Sequence, residues 1–439
     1  MVRSVVRQAP NRLTFNTITA LQDIYLNQAV TKGSAYLGAR LSGQANIFDT
    51  LDRRQHSRKR RAIGQALSEK SMQSFESTII SQLNIFLKEL LRSSQLNEDV
   101  NMSQLCYRLA GDTICHLAFG YPLNTQTDPT NRPFLDAMVA INARVSLYMN
   151  WPATSIVLDP LIQLLGKKRV AEFRKSLLAM IHARTAMGKD AKHDLYYMAL
   201  SDKAGDGANS GDGLRGSELW AEATFFINAD VYKRLASEVR TTFSSGAEIC
   251  KGPKLKSCTY LRAVINETLR IAPSSLGTLW RQQDLSVPSS AGQPFIADGH
   301  VIPRGVQVGI NPYTLMHNAA YFPEPFVFNP ERWLLPDDSP ELRTMRRAFA
   351  PFALGDRGCA GKAMAYLELS LMVAKTLWYF DFARASGEAG KLGGGGTASM
   401  KGQAGRHRED EFQLFDVVTA SHDGPVLRFI PREKFWQEL

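Results

Sequence analysis

The stretch Phe352-Ala-Leu-Gly355-Asp-Arg357-Gly-Cys359-Ala-Gly361, followed by an apolar helical run from Met364 to Leu377, restricts this chain more than any other part of it. A cysteine in a glycine-punctuated loop at the mouth of a helix meets free backbone N–H groups and the positive end of the helix dipole. Both favour thiolate over thiol. Such a sulfur can ligate a metal. Gly355 can take the φ > 0 conformation that a tight loop needs, and Gly361 lets a flat cofactor lie close against the backbone. Arg357 can offer its fork to a carboxylate of that cofactor. For an isolated Gly-x-Arg-x-Cys, the competing reading is a buried structural cysteine beside a basic turn.

Two further segments weigh against that reading. Asn266-Glu267-Thr-Leu-Arg270 places Glu267 and Arg270 three residues apart on one helical face, where they can form a charge-assisted pair. Downstream lies Phe328-Asn-Pro330-Glu331-Arg332-Trp333. With the cysteine loop, these segments resemble, in order and spacing, the Glu-x-x-Arg, Pro-Glu-Arg-Trp and Phe-x-x-Gly-x-Arg-x-Cys-x-Gly motifs of the cytochrome P450 family. The resemblance covers almost the whole chain and has the flavour of fungal enzymes of secondary metabolism. It implies haem as cofactor, with Cys359 as the thiolate ligand of the iron. It implies that Glu267, Arg270 and Arg332 form a buried network bracing the cysteine loop, and that Phe352 packs beside the sulfur. Arg357, Arg281, His56 and Arg60 would then hold the haem propionates. His56 and Arg60, four apart on one helical face, match the family's Trp or His paired with Arg; a surface-exposed basic turn is the alternative for them.

The net charge of +10 suits an anionic membrane surface or an acidic redox partner, and equally a solvated basic surface. Arg53-Arg54-Gln-His56-Ser-Arg58-Lys59-Arg60-Arg61 has the composition of a nucleic-acid patch, but no recognition fold accompanies it, so nucleic acid is excluded as a partner. The cysteines are Cys106, Cys115, Cys250, Cys258 and Cys359. An odd count, with no Cys-x-x-Cys and no His/Cys cluster at zinc spacing, points to a reducing compartment. No window approaches the ~20 apolar residues of a membrane span.

Along the chain, Val5 to Phe15 reads as strand, turn and strand, and Ile18 to Leu26 as a short helix. In the family this pattern follows an anchor, a proline-rich hinge and a first helix, so the resemblance implies either a shortened form or a mis-assigned gene start. Met72, Phe75, Ile79, Leu83, Phe86 and Leu90 recur at steps of three and four and predict a core-facing helix. A helix from Met102 to Phe119 should close at Gly120. Residues 133–187 read as helical with breaks at Pro152 and Pro160, and Lys256 to Ile271 as one helix. Val306 to Ile310 alternates as a strand, and Asp423-Gly424 signals a hairpin between residues 412–419 and 425–429. Residues 203–216 and 385–408 read as surface loops, the second carrying Gly393 to Gly396.

Glu218 to Ile227 resembles the start of the family's long central helix, yet Ile227 runs straight into Asn228-Ala-Asp, which looks like a later helix. The oxygen-activating segment between them has no counterpart, a gap of about 20 to 30 residues at helical rise. Glu222 and Thr224 only mimic its acid and alcohol.

The expected fold is therefore mostly α with a small β region, one haem domain with a truncated central helix. The expected function is a haem-thiolate monooxygenase acting on a small apolar metabolite such as a polyketide or terpenoid intermediate. NADPH-cytochrome P450 reductase would be the electron donor; the chain would be a monomer, intracellular and at most peripheral at a membrane. The gap keeps open a peroxide-using enzyme, a haem-dependent isomerase or dehydratase, and a degenerate product.

Overall fold

The computed structural model describes residues 4–40, 44–66, 69–187, 229–284, 294–400, 406–409 and 411–439. The two parts of the chain expected to hold the surface loop at 203–216 and the start of the central helix at 218–227 lie outside the described residues, as do Glu222 and Thr224.

Pro10 and Asn11 turn the chain between β1 (Val5–Ala9) and β2 (Arg12–Phe15), and α1 (Ile18–Tyr25) follows at once, its first turn capped by the Thr17 hydroxyl. After β3 (Val30–Lys32) come α2 (Arg53–Ala66) and α3 (Glu69–Gln95). Phe75, Ile79, Leu83, Phe86 and Leu90 of the α3 stripe are all buried, as a 3.6-residue period facing a core requires. The two-residue β4 (Val100–Asn101) leads into α4 (Met102–Phe119), which ends at Gly120 with φ +58.

The helical stretch that follows divides only once. α5 (Arg132–Asn150) and α6 (Thr154–Ala186) are separated around Pro152, but Pro160 lies inside α6. A proline at this depth removes one i→i−4 bond without forcing the helix to stop.

Next come α7 (Ala229–Thr242), α8 (Pro253–Ser257) and α9 (Thr259–Ile271). The single helix expected from Lys256 is thus two, divided at Cys258. The division follows from a distant cap: both carboxylate oxygens of Glu238, on α7, accept from the N–H groups of Tyr260 and Leu261 at 2.8 Å.

The chain continues through β5 (Arg281–Gln283), β6 (Ile296–Ala297), β7 (His300–Val301), β8 (Gln307–Ile310), α10 (Pro312–Met316) and α11 (Pro340–Ala348). It ends with α12 (Lys362–Tyr379), β9 (Phe380–Arg384), β10 (Phe415–Val417), β11 (Thr419–Ser421) and β12 (Val426–Pro431). The largest sheet has the order β1-β2-β8-β5-β3, with β2 parallel to β8 and Arg12 to Phe15 aligned on Gln307 to Ile310. The main core lies between helices: Ile79, Leu109, Val239, Val264 and Leu371 come from five of them and meet there.

The expected C-terminal hairpin is displaced. The tight turn falls at Val418, φ +73, between β10 and β11, whereas β12 leaves Asp423-Gly424 to pair with β4 and β9. Asn101 Nδ2 donates to Asp423 Oδ1 at 2.8 Å, and Met102 N–H to the Pro425 carbonyl at 2.9 Å. These bonds draw the segment to the start of α4. Within 385–408, Gly396 and Thr397 donate backbone N–H groups to Arg408 and Arg406.

Candidate active site

The cysteine loop closes on itself before α12 begins. Cys359 N–H donates to the Phe352 carbonyl at 2.8 Å and Gly358 N–H to the Gly355 carbonyl at 3.0 Å, so Cys359 projects from a tight turn three residues before the helix. Gly355 has φ +73, and a Cβ placed on it would lie 2.1 Å from the Tyr25 carbonyl oxygen. A left-handed backbone and a backbone neighbour that close leave glycine as the residue that fits. Gly355→Ala is therefore expected to lose at least about 1–2 kcal/mol from the dihedral alone. Denaturant unfolding checks this, and an unchanged midpoint would refute it. Gly361 caps α12 at φ −83, a conformation open to other residues.

A cavity of about 1620 Å³, solvent at its mouth included, opens above this loop. Cys359, Phe352, Arg357, Gly361, Arg281, His56 and Arg60 all line it, although they come from α2, β5 and the loop, parts of the chain some 300 residues apart. Arg60 Nη1 donates to the Gly358 carbonyl at 2.6 Å, tying α2 to the residue next to the sulfur. Arg357 Nη1 donates to the Thr50 carbonyl at 2.8 Å, and Nη2 to Thr31 Oγ1 and the Leu51 carbonyl at 3.1 Å. Arg281 Nη1 donates to the Trp280 carbonyl at 3.0 Å and sits 4.8 Å from the Tyr25 ring centroid.

Lys32 joins this group, and no local pattern singles it out. Its ammonium donates to the Phe48 carbonyl at 2.6 Å and the Ile47 carbonyl at 3.2 Å, and it lies 5.0 Å from the centroids of both Tyr36 and Phe48. A lysine in a three-residue strand carries no local sign that its ammonium will be folded into a cavity.

The site is strongly electropositive. Burial, then the charges of Arg357, Lys32, Arg60 and Arg281 in that order, push His56 down to about 3, so the imidazole is neutral near pH 7. Desolvation likewise lowers Arg357 to about 10, despite Asp356 nearby. Arg60, Arg281 and Arg357 donate to backbone carbonyls, which satisfy hydrogen bonds without cancelling charge. Cations gathered beside a cysteine fit a flat cofactor that carries carboxylates at one edge and accepts a sulfur ligand at its centre.

Glu267, Arg270 and Arg332 stand outside the cavity and meet one another. Arg270 makes a two-pronged pair with Glu267, Nη2 to Oε1 at 2.8 Å and Nε to Oε2 at 2.9 Å, and Arg332 Nε reaches Oε1 at 3.0 Å. Trp333 Nε1 donates to Glu267 Oε2 at 2.9 Å, and the Trp333 ring lies 4.7 Å from that of Phe349, three residues ahead of Phe352. The network thereby reaches the segment that enters the cysteine loop.

Cys106, Cys115 and Cys258 are buried packing residues, and no group of three or more metal-ligating side chains occurs among the described residues. No helix among them is long and apolar enough to cross a membrane.

A helical body with a small sheet, and a cysteine loop beneath a cation-rimmed cavity, defines a haem-binding protein. Comparison with known proteins agrees with the geometry. The cytochrome P450 family model matches residues 32–229 and 224–392. Cytochrome P450 monooxygenase atnE of Emericella nidulans is 33% identical over 462 residues, covering 97% of this chain and 84% of that protein. Cytochrome P450 monooxygenase AKT7 of Alternaria alternata is 31% identical, covering 97% of this chain and 85% of that protein. The crystal structure of the cytochrome P450DA heme domain superposes with a TM-score of 0.72 at 17% identity, over 98% of this chain and 90% of that one. The chain belongs to the cytochrome P450 family and is a haem-dependent monooxygenase of fungal type.

Proposed function

We propose that Cys359 supplies the thiolate ligand to the haem iron and that Arg357, Arg281, His56, Arg60 and Lys32 hold the propionates. The observation that carries this reading is that these five groups and the cysteine line one cavity. Neutral His56 would act as an N–H donor until the propionates lower the local potential. Arg60, bonded to the Gly358 carbonyl, couples the propionate edge to the sulfur loop. Phe352 limits water access to the sulfur. Bound there, the haem supplies oxygen activation driven by external electrons.

The substrate is a small, largely apolar metabolite, a polyketide or terpenoid intermediate, and the electron donor is NADPH-cytochrome P450 reductase. The basic face of α2, with Arg54, Arg58, Lys59 and Arg61, suits an acidic partner or an anionic membrane surface. An endoplasmic-reticulum face is the location this reading favours, with the chain acting as a monomer. The described residues belong to one haem domain.

A second reading has its own support. The two matched segments of the family model meet at residues 224–229, and the 462-residue alignment with the Emericella protein is longer than this 439-residue chain. Both suit a missing stretch at the end of the central helix. An enzyme without that stretch would use peroxide in place of reductase and oxygen.

The test is the carbon monoxide difference spectrum of the purified, reduced protein. A red-shifted Soret band of the thiolate-ligated type is expected in the parent and absent in Cys359→Ala. A band typical of histidine or neutral-thiol ligation in the parent, or none, would overturn the proposal.

A further inference from the structure

The hairpin end of the cavity, where Val418 and Thr419 join Ser146 and Gly277 in a lining that also includes Met149 and Ile114, carries the one carboxylate among the described lining residues, Asp416 on β10. Its backbone is fixed: Asp416 pairs with Ala420 across the hairpin, and Ser146 Oγ donates to its carbonyl at 3.4 Å. Its side chain has little to hold. Oδ1 accepts a long bond, 3.3 Å, from the Val418 N–H in its own turn, and Oδ2 lies against Gly277, where a Cβ would be 3.1 Å away. Among the described residues no lysine or arginine forms an ion pair with it. Desolvation holds the carboxyl above its usual range, and no cation offsets the effect. Asp416 is itself exposed to the cavity, and a ligand that filled the cavity and covered the carboxylate would have to offer its charge a partner.

We propose that this end of the cavity binds a cationic nitrogen carried by an otherwise apolar ligand, with Asp416 as its counter-ion. The inference rests on the cavity being the oxidation site and narrows its substrate class. An alcohol would satisfy one oxygen and leave the charge unbalanced, and an acid would be repelled. A protonated or quaternary amine on a hydrocarbon body matches both the carboxylate and the apolar side chains elsewhere in the cavity lining.

The competing explanation is local: Asp416 exists to accept from Val418 N–H and hold the Val418 turn, φ +73. Asp416→Asn separates the two, because asparagine keeps that acceptor and loses the charge. The probes are trimethyl(4-phenylbutyl)ammonium, which cannot ligate iron, and its uncharged carbon isostere (5,5-dimethylhexyl)benzene. Equilibrium dialysis against haem-loaded protein reads binding without turnover. In Asp416→Asn, affinity for the ammonium probe is expected to fall about tenfold or more, with the isostere changed less than about twofold. Equal losses for both probes, or no loss for either, would overturn the proposal. The carbon monoxide band of the same samples reports on the haem site separately. A missing band with the charge preference intact counts against the haem assignment and not against Asp416.

Discussion

Replacing Glu267 by glutamine is expected to cost on the order of 3–5 kcal/mol of folding stability and to lower the denaturation midpoint accordingly. Glu267 and Arg270 have no exposed side-chain surface, and Arg332 retains 6%. The carboxylate accepts from Arg270 Nε and Nη2, Arg332 Nε, Trp333 Nε1 and the Asn329 N–H, all within 2.8–3.0 Å. An amide has one oxygen for these donors, and its NH2 would face guanidinium N–H groups. Neither arginine has a spare route to relief. Arg270 Nη1 is already bonded to the Met316 and Pro325 carbonyls, and Arg332 Nη1 to that of Pro323. Two buried positive charges would be left without a counter-ion. Arg346→Gln, which breaks the exposed pair with Asp337, is the control and should leave the midpoint where it is. A Glu267 variant that behaves like this control would show that the network is not needed for stability.

Glu368→Gln should act in the opposite direction, and only at higher pH. Glu368 on α12 is 4% exposed, and its Oε1 has no hydrogen-bond partner. Desolvation raises its pKa from the ordinary 4.5 to about 7. The folded state therefore holds this proton up to about pH 7, while the unfolded chain releases it near 4.5. Stability is complete below 4.5 and falls as pH rises to 7, by roughly 3 kcal/mol in all. Glutamine has no proton to lose. The variant should match the parent at the acid end of this window and exceed it by about that amount above neutrality. Parallel stability-versus-pH curves for the two proteins would sink the argument.

The features legible from sequence share one property: their signal is local. The α3 stripe, the Gly120 cap and the cysteine loop each need only a few neighbouring residues to be recognised. Glu267, Arg270 and Arg332 lie in two short motifs whose meeting is implied by resemblance, whereas the role of Trp333 Nε1 in completing the carboxylate's bonds is visible only in three dimensions. The division at Cys258 escaped because the cap comes from Glu238 on another helix. Asp423-Gly424 carries a strong turn signal, yet pairing with β4 and β9 draws that segment away, and the tight turn passes to Val418, a β-branched residue that no local rule would choose. Lys32 and Asp416 were missed for a related reason: each is a charged side chain in a three-residue strand, the pattern of an exposed edge, and only the tertiary fold turns it into a cavity.

The parallel pairing of β2 with β8 bears on how the protein is made. Residues 12–15 align on residues 307–310, so the amino-terminal strands must wait while some 300 residues are synthesised before their sheet can close. The cysteine loop waits longer, because Gly355 rests on the Tyr25 carbonyl and Arg357 on those of Thr50 and Leu51. Contacts this distant in sequence form late. On the ribosome, the early strands and α1 would stand unpartnered, in need of chaperone protection, and the pocket could receive its prosthetic group only after translation had passed the loop.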